Sequence, residues 1–188
     1  MDKLICVTGL PLAGKTTIAY QLKDSLGRDG KVVSIGGLMR ASMDNLPDWL
    51  KNGDFAPETE MQRIVTKECE KLGQYPYLIL EGAPRQKSQI AWLKNLAEQL
   101  DRELYFIVVE ADTKELQVRS INRNRYDKEY DKGRIIKHAP LMLKVSNEIL
   151  NLSHQNKYEC SFINTSDMTK NDIDSHIYKI GYKLTNQL

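Results

Sequence analysis

Short apolar runs recur along the chain and alternate with segments whose apolar residues are spaced three and four positions apart. A short apolar run predicts a buried strand, whereas the wider spacing predicts a helix with one buried side. The apolar runs fall at residues 4–8, 31–35, 77–80, 104–109 and 160–163. The helical spacing falls at residues 16–26, 58–72, 88–100, 141–149 and 169–184.

This alternation favours a parallel sheet, because consecutive parallel strands need a crossover connection that is usually a helix. The predicted fold class is α/β, with three layers and a five-stranded parallel sheet between the helices. No linker or low-complexity tract divides the 188 residues, so one domain is expected over residues 1–188. Thr169 with Asp172, and Asp112 with Glu115, have the spacing of helix capping boxes.

The stretch between the first predicted strand and the first predicted helix contains a candidate ligand-binding motif. Residues 9–17 read GLPLAGKTT, in which two glycines separated by four residues precede Lys-Thr, as in a phosphate loop. Backbone N–H groups and the positive end of the helix dipole then point at one place, where a polyphosphate can bind. Lys15 adds a positive charge, and the Thr16 hydroxyl can bind magnesium. An ordinary glycine turn with a surface lysine is the alternative, and the flanking strand and helix favour the phosphate loop.

Composition narrows the class of partner. The formal net charge is +2, from 27 basic and 25 acidic side chains, which does not indicate nucleic acid or an anionic membrane. No apolar run has the length of a membrane span, and no signal-peptide pattern precedes the first strand. Cys6, Cys69 and Cys160 lie on apolar patterns and predict buried thiols in a reducing cytosol. A cytoplasmic location is therefore expected.

Polar residues follow two further strands. Gly36 and Gly37 leave backbone room after the second strand, and Arg40 has a planar fork of donors suited to phosphate. From these residues alone, an exposed arginine after a flexible turn is favoured. Glu81 ends the third strand, where a carboxylate can hold magnesium through water, and Arg85 follows as a candidate phosphoryl ligand. A solvated strand end is the alternative for Glu81.

Two segments depart from the alternation. Residues 41–54 are polar apart from Leu46, Trp49 and Leu50, which predicts a short helical excursion with a small apolar anchor. Between residues 119 and 137, basic side chains are interleaved with acidic ones. Such a cluster is most often a solvated surface, and the low net charge weakens the alternative of a nucleic-acid patch. The histidines have no partner at metal-ligand spacing, so no role is predicted for them.

Three separated segments together resemble the adenylate kinase family of nucleoside monophosphate kinases. Residues 9–17 resemble its phosphate loop, and residues 34–40 (SIGGLMR) resemble its Ser-Thr-Gly-Asp-Leu-Leu-Arg segment. Residues 81–89 (EGAPRQKSQ) resemble its Asp-Gly-Phe-Pro-Arg-Thr-x-x-Gln segment. The order and spacing of the three segments also match. The resemblance implies a P-loop kinase fold, with an acceptor-binding helical insertion at about residues 37–72 and a short lid at about residues 123–137.

The resemblance also implies roles for the matching residues. The donor ATP would be bound by Gly9, Pro11, Leu12, Ala13, Gly14, Lys15, Thr16, Thr17 and Arg119. The acceptor monophosphate would be bound by Gly36, Arg40, Gly82, Arg85 and Gln89, of which the glutamine would read the base. Mg2+ would be held by Thr16 and Glu81. The catalytic charges would be Lys15, Arg85, Arg123 and Arg134.

Four positions depart from the pattern of that family. Ile35 stands where threonine is usual, and Ala83 stands where an aromatic residue is usual. Gly37 and Glu81 stand where aspartate is usual. Ile35 and Ala83 alter the base pocket, so the sequence does not identify the base of the acceptor.

Three functions are consistent with these observations. The leading hypothesis is transfer of the γ-phosphoryl group of ATP to a nucleoside monophosphate, with the insertion and the lid closing over the site. The second is a kinase of another small metabolite, and the third is an ATP-binding regulator with weak or no kinase activity. The expected partners are small molecules, not nucleic acid or membrane, and a monomer or simple homo-oligomer is expected.

Overall fold

The computed structural model describes residues 1–42, 48–52, 54–122 and 131–186. Within this part of the chain, five parallel strands form one sheet in the order β2-β3-β1-β4-β5. The strands are β1 (Lys3–Gly9), β2 (Gly30–Ser34), β3 (Tyr77–Glu81), β4 (Glu103–Glu110) and β5 (Glu159–Asn164). Because β1 is central, the loop that follows it emerges between the carboxyl ends of β3 and β4.

Helices connect the strands and cover both faces of the sheet. They are α1 (Lys15–Leu26), α2 (Ile35–Ala41), α3 (Asp48–Lys51), α4 (Glu58–Lys71), α5 (Ser88–Gln99), α6 (Thr113–Asn122), α7 (Asp131–His154) and α8 (Lys170–Thr185). The prediction of a three-layer α/β fold with a five-stranded parallel sheet is confirmed.

An apolar cluster lies on each face of the sheet. Along β4, Phe106 and Val108 pack with residues of α4, α5 and α7, whereas Tyr105 and Ile107 pack with residues of α1 and α8. Successive strand side chains point to opposite faces, so a strand covered on both sides reads as a continuous apolar run. Phe106 is fully buried, and burial of such a side chain stabilises the fold by about 1.5–3 kcal/mol.

One predicted capping box forms and the other does not. At the start of α8, the Thr169 N–H donates to the Asp172 carboxylate at 2.9 Å, and the Asp172 N–H donates to the Thr169 hydroxyl at 3.3 Å. Hydrogen bonds from the Thr169 hydroxyl and backbone lower the pKa of Asp172. The second prediction was wrong, because the Asp112 N–H donates to the Ser166 hydroxyl at 2.7 Å, and the Glu115 carboxylate accepts from Arg119 Nε at 2.9 Å.

A helix follows β2 where the sequence favoured a flexible turn. The Ser34 hydroxyl accepts from the Gly37 N–H at 3.2 Å and so caps α2. Ile35 and Met39 lie one helical turn apart, and both are buried. This cap and this burial outweigh the low helix propensity of the two consecutive glycines.

The predicted insertion and lid are described in part. The insertion contains α2, α3 and α4, and residues 43–47 and 53 lie outside the described residues. Residues 131–137 of the predicted lid form the beginning of α7, whereas residues 123–130 lie outside the described residues. The division into insertion and lid stays a prediction. No helix in the described ranges is long and apolar enough to cross a membrane.

Candidate functional site

The phosphate-loop residues connect β1 to α1. Gly9 and Gly14 have φ angles of 144° and 99°, in the region that disfavours L side chains. A Cβ atom at Gly9 would lie 2.0 Å from the carbonyl oxygen of Val109, so only glycine fits. Lys15 begins α1, and its Nζ donates to the Leu10 carbonyl at 2.7 Å. The helix N-terminus and a lysine therefore meet at the carboxyl edge of the sheet.

We expect the substitution Gly9→Ala to lower the free energy of unfolding by at least about 2 kcal/mol, because the added Cβ clashes with a strand carbonyl. Urea unfolding followed by far-ultraviolet circular dichroism measures the change. Gly133→Ala is the matched control, since a Cβ there meets nothing within 4 Å. The control should stay within about 1 kcal/mol of wild type. Equal midpoints for Gly9→Ala and wild type would contradict the clash.

A buried carboxylate joins the loop to the second strand. Glu81 ends β3 and is 7% exposed. It accepts a hydrogen bond from the Thr16 hydroxyl at 3.3 Å and another from the Ser34 hydroxyl at 2.7 Å. In the described ranges, no three His, Cys, Asp or Glu residues are grouped to hold a metal ion. A magnesium ion at this place would therefore take its ligands from Thr16, Glu81, water and phosphate, which suits its preference for oxygen.

Three arginines converge beside this carboxylate. Arg85 donates from Nε to the Gly82 carbonyl at 2.8 Å. Burial lowers the pKa of Arg85, Glu81 raises it, and the positive charges of Arg134 and Arg40 lower it further. Arg40 on α2, Arg134 on α7 and Arg85 after β3 also line one cavity, so three positive side chains share one region. Such a region favours an anion.

Glycines leave room for two of these guanidinium groups. A Cβ at Gly36 would lie 3.3 Å from Nη1 of Arg40, and a Cβ at Gly82 would lie 3.2 Å from Nη2 of Arg85. The predicted base reader, Gln89, is 3% exposed, and its Oε1 accepts from the Arg85 backbone N–H at 2.7 Å. Its described contact therefore supports the segment that carries Arg85, and its role toward a base stays a prediction.

A cavity of about 390 Å3 lies between the loop, β3 and α7. The predicted site residues that line it are Gly9, Pro11, Leu12, Gly14, Lys15, Thr16, Thr17, Gly36, Arg40, Glu81, Arg85 and Arg134. Donor-side and acceptor-side residues predicted from separate segments therefore face one space.

Five predicted site residues are not placed on this cavity wall. The structure brings Ala13, Gly82 and Gln89 next to the site without exposing them in the cavity. Arg119 contacts the loop from another side, because its Nη1 donates to the Leu12 carbonyl at 3.2 Å. Arg123 lies outside the described residues. The roles of all predicted residues stay predictions.

An aromatic contact between distant segments was not predicted from the sequence. The rings of Phe55 and His138 lie with centroids 4.1 Å apart and planes tilted by 30°. The guanidinium of Arg85 lies 5.7 Å from the centroid of the Phe55 ring. Next to this pair, Lys137 Nζ lies 2.5 Å from an Asp54 carboxylate oxygen. We call Asp54, Phe55, Lys137 and His138 the clasp, because they join the segment before α4 to α7.

The spacing of three residues on α7 could have predicted part of the cavity lining. Arg134, His138 and Met142 are four residues apart, so they share one face of α7, and all three line the cavity. The sequence predicted a role for Arg134 and none for His138. Trp49 also lines the cavity, whereas the sequence suggested only an apolar anchor.

A phosphate loop between a central parallel strand and a helix, with a cavity at the carboxyl edge of the sheet, defines a P-loop protein of the α/β class. Comparison with known proteins agrees, because the family model described as AAA domain matches residues 8–137. The chain belongs to this family, since the match covers more than half of it.

Curated relatives narrow the comparison. An adenylate kinase of Thermosipho melanesiensis is 30% identical over 128 residues, which are 64% of this chain and 59% of the relative. An adenylate kinase of Pseudarthrobacter chlorophenolicus is 25% identical over 125 residues, which are 62% of this chain and 64% of the relative. One of Micrococcus luteus is 27% identical over 123 residues, 61% of this chain and 59% of the relative. The chain thus spans about three fifths of these relatives, and its resemblance to the adenylate kinase family is confirmed.

Proposed function

We propose that the protein transfers the γ-phosphoryl group of ATP to a small phosphorylated acceptor, and that a nucleoside monophosphate is this acceptor. The observation that supports this most strongly is the single cavity that Lys15 and Thr16 share with Arg40, Arg85 and Arg134. A donor phosphate and an acceptor phosphate are both anions. Lys15 could bind the donor phosphate, and the arginines that line the same cavity could bind the acceptor phosphate. The similarity to adenylate kinases agrees with this chemistry.

The donor half would use the loop and the first turn of α1. Backbone N–H groups of the loop and Lys15 would hold the β- and γ-phosphates. The hydroxyl of Thr16 and the carboxylate of Glu81 would hold Mg2+, directly or through water. The ion would neutralise charge on the phosphate oxygens when bound. The hydrogen bonds that Glu81 accepts from Thr16 and Ser34 keep its carboxylate in position for this role.

The acceptor half would use the arginines. Arg40 and Arg85 would hold the acceptor phosphate, and Arg123 with Arg134 would contact the transferred group. An oxygen of the acceptor phosphate forms a bond to the γ-phosphorus, while the bond from that phosphorus to the β,γ-bridging oxygen breaks and ADP leaves. The transition state is loose, so alignment and charge neutralisation supply most of the rate.

Closure of the insertion and the lid would exclude water, which otherwise competes as an acceptor. The clasp supports this proposal, since it joins the segment before α4 to α7 across the cavity. Its ion pair is about half exposed, with side-chain exposures of 49% and 47%. Such pairs contribute about 0.2–1 kcal/mol, so the clasp would favour closure without locking it.

We therefore expect Lys137→Gln to raise the KM for the acceptor about two- to fivefold, because the closed form loses an exposed ion pair. Initial rates at saturating ATP and varied acceptor measure this. A charge exchange, Asp54→Lys with Lys137→Asp, should restore the wild-type KM at low salt. The difference should shrink at 1 M salt, where charges are screened. A single variant identical to wild type at low salt would argue against a role for the ion pair.

The identity of the acceptor is tested by a panel. ATP and Mg2+ are supplied with ribo- and deoxynucleoside monophosphates of each base and with small phosphorylated or hydroxylated metabolites, and ADP formation is followed. Conversion of one or more monophosphates with the highest kcat/KM supports the proposal. Preference for a non-nucleotide would support the second candidate. Ile35 and Ala83 motivate it, because they stand where threonine and an aromatic residue are usual in the adenylate kinase family. Tight ATP binding without transfer to any acceptor would favour a regulator.

We also propose a reducing compartment such as the cytoplasm. Cys6, Cys69 and Cys160 are free thiols, and burial raises the pKa of Cys69 to about 12. A monomer or simple homo-oligomer remains the expected assembly.

A further inference from the structure

Two carbonyl groups of the phosphate loop are held from behind by side chains that are distant in sequence. The hydroxyl of Thr165 lies 3.0 Å from the Ala13 carbonyl oxygen and can donate to it. Arg119 donates from Nη1 to the Leu12 carbonyl at 3.2 Å. Thr165 follows β5, and Arg119 lies on α6, so two elements outside the loop determine where its carbonyl groups point.

Thr165 and Arg119 also bind each other. Nη1 of Arg119 donates to the Thr165 hydroxyl at 3.0 Å, and Nη2 donates to the Thr165 carbonyl at 2.9 Å. Arg119 Nε is taken by Glu115 at 2.9 Å. Thr165 is 2% exposed, and its hydroxyl also lies 3.2 Å from the Glu110 carbonyl. Contacts outside the phosphate loop therefore hold both side chains in position, independently of their contacts with the loop.

The direction of each peptide follows from this anchoring. In a trans peptide the C=O and the N–H point in opposite directions. When the Ala13 carbonyl points to Thr165, the N–H of Gly14 points the other way, and Gly14 lines the cavity. The N–H of Ala13 donates to the Leu10 carbonyl at 3.2 Å, which closes the turn on the other side.

The backbone of this turn needs such support. Leu12 has a φ of 68°, which a residue with a Cβ rarely adopts. Strained backbone persists where surrounding contacts hold it, and here the Leu12 carbonyl accepts from the fixed guanidinium of Arg119. A loop without these contacts could relax, and the Gly14 N–H would then no longer be held facing away from Thr165.

We propose that Thr165 and Arg119 are positioning residues that preorganise the phosphate loop for the donor polyphosphate. They act through two loop carbonyls: the Ala13 carbonyl directs the Gly14 N–H toward the cavity, and the Leu12 carbonyl holds the turn that the Ala13 N–H closes, so this arrangement exists before ATP binds. Donors that are oriented in advance bind an anion without the cost of reordering. This inference rests on the proposed ATP site, and it assigns the contribution of Thr165 to the donor alone.

The test compares Thr165→Val with Thr165→Ser. Valine keeps the shape of the side chain and removes the hydroxyl, whereas serine keeps the hydroxyl. We expect Thr165→Val to weaken ATP binding, measured by isothermal titration calorimetry, at least about tenfold, and to raise the KM for ATP accordingly. Thr165→Ser should stay within about threefold of wild type. The KM for the acceptor should not change in either variant.

The controls separate positioning from stability. Urea unfolding of each variant shows whether the fold is intact, and a merely structural role would lower the midpoint and affect donor and acceptor alike. The proposal is overturned if Thr165→Val binds ATP as wild type does, or if serine and valine weaken binding equally. Wild-type protein that binds ATP and phosphorylates no acceptor would refute the proposed transfer while leaving this comparison decisive. Wild-type protein that does not bind ATP would refute both.

Discussion

Replacement of Lys15 by methionine is expected to lower turnover roughly a hundredfold or more, because one positive charge beside the transferred group is removed. Lys15 begins α1 and lines the cavity. Its Nζ donates to the Leu10 carbonyl at 2.7 Å, so the positive charge lies next to the phosphate loop. Methionine has nearly the same length and keeps the packing of the aliphatic stem. ADP formation at saturating ATP, Mg2+ and the best acceptor of the panel measures the effect.

Lys23→Met is the control for this variant. Lys23 lies on the same helix and pairs with Asp24 at 3.0 Å, away from the cavity lining. It should keep turnover within about twofold of wild type, since exposed ion pairs contribute little. Wild-type turnover in Lys15→Met would reject the proposed mechanism, whatever the acceptor.

The second large effect is expected for Arg85→Lys, which keeps the positive charge and removes the planar fork. Arg85 is partly buried, donates to the Gly82 carbonyl and lines the cavity with Arg40 and Arg134, so the shape of its guanidinium would determine how an acceptor phosphate binds. We expect kcat/KM for the acceptor to fall about a hundredfold, with a change in ATP affinity of less than about threefold. Steady-state rates with varied acceptor give kcat/KM, and calorimetry with ATP gives the affinity.

Arg63→Lys on the exposed side of α4 is the matched control. It should leave kcat/KM for the acceptor and the affinity for ATP unchanged. Urea unfolding of Arg85→Lys is also needed, because loss of the hydrogen bond to Gly82 costs about 1 kcal/mol of stability. A variant that loses ATP affinity and acceptor activity together would place Arg85 on the donor side. A variant with wild-type acceptor kinetics would remove it from the catalytic set.

The phosphate loop and the sheet could be predicted because their signals are local or periodic. Buried parallel strands read as apolar runs, and the residues of the loop follow one another in sequence. The capping box of α8 was predictable for the same reason, since Thr169 and Asp172 are neighbours along the chain. The helix after β2 was not predicted, because two glycines suggest a turn and the burial of Ile35 and Met39 is visible only in the fold.

The sequence by itself determined the α/β class, the place of the phosphate loop and the segments that carry Arg40, Glu81 and Arg85. The tertiary structure alone decided which of these groups meet, and it added the clasp and the support of the loop by Thr165. The physical reason is sequence separation. Thr165 and Ala13 are 152 residues apart, and Lys137 and Asp54 are 83 apart. Local propensity carries no information about such pairs, which form only when the sheet order and helix packing bring them together.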